Sequence, residues 1–249
     1  MGADDSLTAI RNLARKKVEL SINFDVSIKC QNFEKDMKAY TTTELYDDLY
    51  QKLINAVIPA GSKIKPVELQ SDYGCSTNTI RDALLRLSKI GLVTFQMQRG
   101  FRARETSPEI RADIAKFRVL LEQEGASLSI KHGGIDWEIR LNTAHHKLSH
   151  IEALMSRDGL TNEHLIVWSA AEFEFHDALI SGCGSNVLIE TYGHIYAQFR
   201  QQFVAQERDF GSNYFESIIN EHATILNAAL ARDDNACKQA IFDHMKRNY

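Results

Sequence analysis

Proline and cysteine are both scarce in this chain, with three prolines and four cysteines among 249 residues. Cys30, Cys75, Cys183 and Cys237 stand far apart and form no C-x-x-C pair. That argues against a disulfide framework and for reduced thiols in a cytoplasmic protein. Long apolar runs are missing as well. No stretch reaches the ~18 residues that a membrane-crossing helix requires, so no membrane partner is expected. Leu13 to Phe24 is interrupted by Arg15, Lys16, Lys17 and Glu19, unlike the apolar core of a signal peptide. The motifs of several enzyme classes are also absent: no H-E-x-x-H helix, no evident nucleophile elbow and no phosphate-binding glycine loop.

What is present is unevenly charged. The net charge is -4, yet Ser62 to Arg104 carries eight Lys/Arg against three Asp/Glu. From Glu105 onward the balance reverses, to thirteen against twenty-one. A basic segment on an acidic chain fits a local polyanion-binding module, although a solvated basic face has the same composition.

Apolar spacing divides the chain. Residues 1–40 read as an N-terminal arm, with room for a short helix around Leu7–Leu20. From Thr42, the residues Leu45, Leu49, Leu53 and Ile54 share one helical stripe that Val57 continues, and Pro59-Ala60-Gly61 ends it. A second short helix begins near Pro66, with Val67, Leu69 and Tyr73 apolar, and stops at Gly74. Ser76 is the N-cap of a third, carrying Ile80, Ala83, Leu84 and Leu87. Leu92–Met97 and Phe101–Arg104 read as strands joined by a tight turn at Gln98-Arg99-Gly100. Three helices and a β-hairpin in this order describe a winged helix-turn-helix over residues 41–105.

Residues 106–249 read as helix throughout, near 108–131, 135–157, 161–181, 185–208, 212–231 and 234–247. Long helices with short connections imply antiparallel packing. The expected fold is therefore mainly α, a winged helix-turn-helix followed by an antiparallel all-α bundle.

The segment Gly61–Arg104 resembles the GntR family of bacterial regulators. The resemblance rests on Gly61-Ser62-Lys63-Ile64, Gly74-Cys75-Ser76, Ile80-Arg81-Asp82-Ala83-Leu84, Gly91-Leu92-Val93 and Arg99-Gly100-Phe101. It implies that the third helix enters the major groove of an operator and the hairpin tip the minor groove. Ser76, Thr77, Asn78 and Thr79 would then face base edges and phosphates, Asn78 and Arg81 could pair bidentately with bases, and Arg99 with Gly100 would form the tip. Without the resemblance, a surface cap and a surface ion pair are the favoured readings of Asn78 and Arg81. Thr77 and Val67 stand where the family usually has arginine. Palindromic operators imply a homodimer.

The second half resembles the FCD effector-binding domain of the FadR branch. That resemblance rests on Arg118 with Leu121 and Glu122, on Glu172-Phe173-Glu174-Phe175-His176-Asp177-Ala178-Leu179, and on Glu221-His222 with His244. It implies a regulator, a repressor by family habit, controlled by a small organic acid beside a divalent metal. The implied ligands are Glu172, His176, His222 and His244, with glutamate where the family usually has aspartate. The spacing is compatible: Glu172 and His176 are one helical turn apart, and His222 and His244 are equally far from Asp233. Three imidazoles and a carboxylate suit zinc, nickel, manganese or iron.

Arg118 reads either as a carboxylate clamp or as an i,i+4 ion pair with Glu122. Asn186 reads as a helix N-cap and then as an effector contact. Tyr192, Tyr196, Phe199, Arg200 and Phe203 form a stripe of core or cavity wall. Two other readings of the histidine set stay open: a metal-dependent enzyme, and a purely structural metal.

Overall fold

The computed structural model describes residues 39–159, 161–206 and 214–249. The helix expected around Leu7–Leu20, with Arg11, Arg15, Lys16 and Lys17, lies outside the described residues. Helix α1, Thr42–Ile54, opens on a reciprocal cap: Thr41 Oγ1 accepts from the Glu44 amide, and Glu44 Oε2 accepts from the Thr41 amide. Leu45, Leu49, Leu53 and Ile54 are buried as the stripe predicts. Val57 does not continue it. The helix ends at Ile54, Ala56 takes a left-handed φ of 54°, and Val57 is 64% exposed.

A two-residue strand, β1 (Lys63–Ile64), comes before the short helix α2 (Gln70–Tyr73), which Gly74 ends in the left-handed conformation. Residues 66–69 are turn rather than helix, and Val67 is exposed. Helix α3 spans Thr77–Lys89, and Ser76 caps it by accepting from the Thr79 amide. Strands β2 (Val93–Gln96) and β3 (Gly100–Ala103) form the hairpin. The sequence predicts only that hairpin; the structure adds β1, and the antiparallel sheet runs β1-β3-β2. Ile64 and Phe95 both pair with Phe101, which is buried against α3 residues Ile80 and Leu84.

The bundle begins at α4, Pro108–His132, capped by Ser107 with proline at its first position. It continues through α5 (Ile135–Asp158), α6 (Asn162–Ile180), α7 (Asn186–Gln206), α8 (Tyr214–Leu230) and α9 (Asp234–Met245). The last turn, Lys246–Asn248, is a 3-10 helix rather than the end of α9. Asp233 caps α9 by accepting from the Ala236 amide, which fixes the reversal between α8 and α9. Leu141, Leu148, Trp168, Phe175, Ile225 and Ile241 share the core.

From Lys38 to Tyr249 the chain is one compact unit. Helix α7 joins its two parts. Ala197 packs into the winged core, and three α7 glutamines reach the backbone that follows α3 and β3. Gln198 Nε2 donates to the Ile90 carbonyl (3.0 Å), Gln201 Nε2 to Leu92 (3.1 Å) and Gln202 Nε2 to Glu105 (3.0 Å). Gly91 makes the close approach possible: its φ is +80°, and a Cβ there would lie 2.7 Å from Gln198.

Candidate metal and ligand site

Three helices deliver the histidines: α6 carries His176, α8 carries His222 and α9 carries His244. One ring nitrogen from each lies within 4.8 Å of the other two, and all three residues are buried. The sharp turn at Asp233 brings α8 and α9 back to back, so residues equally far from it meet at one level. The ring centroids of His222 and His244 are 4.6 Å apart.

Each imidazole has a carboxylate behind it. His176 Nδ1 bonds Glu122 Oε1, His222 Nδ1 lies 3.0 Å from Glu152 Oε1, and His244 Nδ1 lies 2.9 Å from Glu221 Oε2. At His176 and His244 the carboxylate hydrogen-bonds Nδ1, which fixes the proton there and leaves the Nε2 lone pair for another partner, the arrangement common behind metal-ligating histidines; Glu152 stands at the same place behind His222 without a hydrogen bond. Among the described residues, Nε2 of His176 and both ring nitrogens of His222 are buried without a hydrogen-bond partner. Unsatisfied acceptors of that kind are costly unless something binds them. Burial lowers the pKa of His176 and brings that of His244 to about 3, so both rings are neutral near pH 7, as ligation requires. The residues present therefore fit a divalent ion.

Sequence reasoning misses the bracing carboxylates as such, although two leave a trace. Glu152 sits in the apolar series Leu141, Ala144, Leu148, Met155 of α5, and Glu122 in the series Ala115, Val119, Ala126 of α4. A charged residue on a buried stripe needs a partner. Glu152 has a second one, since Trp168 Nε1 donates to its Oε1 at 3.1 Å.

Glu172 lies beside the histidine cluster, and its partners are elsewhere. Its Oε1 is 3.8 Å from His176 Nε2. Tyr196 donates its hydroxyl to Oε2 at 2.6 Å, Arg118 Nη2 donates to Oε1 at 3.4 Å, and Arg200 Nη1 is 3.9 Å from Oε2. Burial alone would raise this carboxyl, but Arg118, His176 and Arg200 bring it down to about 2. Arg118 is fully buried and serves both of its expected roles in part. It pairs with Glu122 one turn away (3.3 Å), and it also lines a cleft with Arg200, Glu172, Trp168, Phe199 and His244. The α7 stripe is wall as well as core, since Phe199, Arg200 and Phe203 face this cleft.

The cap expected at Asn186 is a correction. Asn186 is exposed at the first residue of α7 and does not line the cleft, and the capping acceptor is Ser185 Oγ, which the Leu188 amide reaches at 3.3 Å. Serine one position earlier has the shorter side chain and the geometry for that bond.

The residues expected to read DNA fall in two places. Ser76, Thr77, Asn78, Thr79 and Arg81 form the start of α3, where Ser76, Asn78 and Arg81 are exposed. Arg99 and Gly100 lie at the hairpin tip, where the Arg99 amide donates to Gln96 O (3.1 Å) and Gln98 and Gly100 have positive φ. The Arg81 guanidinium stands 5.8 Å from the Phe101 ring, which links the helix to β3.

Comparison with known proteins agrees with both halves. Residues 41–102 match the bacterial regulatory proteins of the gntR family, and residues 113–247 match the FCD domain. An uncharacterized HTH-type transcriptional regulator, BphR of Paraburkholderia xenovorans, is 31% identical over 81% of this chain and 80% of its own. The HTH-type transcriptional repressor GlaR of Escherichia coli is 28% identical over 82% of this chain and 92% of its own. The solved structure of E. coli McbR/YncC superposes with a TM-score of 0.68 at 18% identity, covering 85% of this chain and 96% of that one, a likeness of fold. These families and relatives are transcription regulators and not enzymes. The chain belongs to the GntR family of bacterial transcription regulators, with a winged helix-turn-helix joined to an FCD domain.

Proposed function

We propose that this regulator is a cytoplasmic repressor whose residues 41–105 read an operator and whose residues 106–249 sense a small carboxylate beside a divalent metal. One observation carries the reading: three buried histidines, each with a carboxylate beside Nδ1, bring one ring nitrogen apiece within 4.8 Å of one another beside a cleft with two buried arginines. His176, His222 and His244 hold the ion, with Glu172 the nearest carboxylate on the cleft side. A bound ion would supply positive charge and open coordination positions for an anion. Arg118 and Arg200 orient the anion's carboxylate, and Trp168, Phe199 and Phe203 exclude water around it.

Helix α7 relays occupancy. Phe199, Arg200 and Phe203 line the cleft, while Gln198, Gln201 and Gln202 of the same helix hold the backbone beyond α3 and the hairpin. An effector that binds one position of α7 better than another shifts the placement of the DNA-reading surfaces in a homodimer. GlaR is a transcriptional repressor, and that role is taken over here as part of the proposal.

The test is operator binding by the metal-loaded and the chelator-treated protein. A sensing site predicts that metal removal changes both operator affinity and carboxylate binding. A metal that only props the bundle predicts a loss of thermal stability with both affinities unchanged in the folded protein.

A further inference from the structure

The arginine end of the cleft already holds an anion of the chain's own. Glu172 fills the space between Arg118, Arg200 and Tyr196, and with a side-chain exposure of 7% it is almost sealed there. A second carboxylate entering beside it would meet a like charge at close range in a desolvated site. The cleft nevertheless keeps unused donors. Among the described residues, Arg118 Nη1 and Arg200 Nε are buried without a hydrogen-bond partner, so Glu172 does not saturate the two guanidiniums. Its hold on them is also loose: both arginine contacts, at 3.4 and 3.9 Å, are long for charge-assisted pairs, and only the Tyr196 bond, at 2.6 Å, is short.

We propose that Glu172 is a built-in, displaceable occupant of the anion pocket: an external carboxylate enters by taking its place on Arg118, Arg200 and Tyr196. The displaced group moves toward the histidine side, where His176 Nε2 stands 3.8 Å from Oε1. The inference rests on the reading of this cleft as the effector site. It assigns Glu172 a part in setting affinity that differs from that of a permanent metal ligand. No bond is made or broken, and the exchange moves one carboxylate out and one in.

The exchange can be tested without metal, which removes direct coordination of the probe. Acetate is titrated into chelator-treated wild-type protein and into Glu172→Gln, and the heat of binding is followed by calorimetry. Glutamine keeps the shape and still accepts from Tyr196, but it removes the competing charge. The expected result is acetate binding at least tenfold tighter in the variant. Glu172→Ala, which removes the competing charge and leaves Tyr196 free to donate to the probe, is expected to move affinity in the same direction, and it serves alone if Glu172→Gln does not fold. Equal or weaker acetate binding in the variants overturns the exchange while leaving the effector site standing. No acetate binding to wild type or to either variant overturns the pocket itself.

Discussion

Gln201 of α7 donates its Nε2 hydrogen to the carbonyl of Leu92, at 3.1 Å, one residue before strand β2 begins. The neighbouring residue Arg200 lines the cleft. Two consecutive side chains of one helix thus face the cleft and the winged half.

Removing that grip is expected to separate sensing from response. Gln201→Ala deletes one hydrogen bond, and Gln198→Ala deletes two, the second donated by Arg104 Nη1 at 2.9 Å; each is worth about 0.5–1.5 kcal/mol of stability, measurable by urea unfolding. The doubly substituted protein is expected to keep its metal content while its operator affinity stops responding to metal removal. A response equal to that of wild type would place the relay elsewhere.

Bracing carboxylates matter when something must be oriented. Glu152→Gln keeps an oxygen for the Trp168 indole but removes the charge facing His222. Metal affinity is expected to fall by about 10–100-fold, as read by competition with a chromogenic chelator. Substituting Glu174, which is half-exposed and paired with Lys147, is the control and is expected to leave it unchanged.

Acid stability follows from the same burial. In the metal-free protein His176 is lowered and His244 is lowered to about 3, whereas both titrate near 6.5 when unfolded. As pH falls below 6.5 the unfolded chain takes up protons that the folded chain refuses, so stability drops. Glu122 and Glu172, both lowered to about 2, add to the loss only below about pH 4.5, where unfolded carboxyls protonate. The melting temperature of chelator-treated protein should therefore fall between pH 7 and pH 5, where histidines alone act. His244→Ala should flatten that fall, and an unchanged slope would contradict neutral buried rings.

On the DNA side, Asn78→Ala is expected to cost about 1–3 kcal/mol of operator binding and to relax the base preference at one position. Arg99→Ala at the hairpin tip should weaken binding to all sequences and reduce the salt slope by about one. Electrophoretic titrations at several salt concentrations distinguish the two.

Much of this architecture is written locally. Ser76, Ser107 and Asp233 cap the helices where sequence places their starts, and Gly74 takes the left-handed turn it marks. Strand β1 is not legible, because two residues carry no alternation and exist as a strand only through pairing with β3. His222 and His244 are legible because a single capped turn makes their spacing symmetric. The setting of Glu172 is not, since it depends on Arg118, Tyr196 and Arg200 arriving from two other helices. Asn186 misleads because a cap and a pocket residue share the same composition signal.

The central claim is that His176, His222 and His244 hold an ion. Native mass spectrometry with elemental analysis of gently purified protein tests it most directly. The account predicts one divalent ion per chain, lost in His222→Ala while the fold persists by circular dichroism. A wild-type protein that binds no ion even after zinc, nickel, manganese and iron are supplied would contradict it.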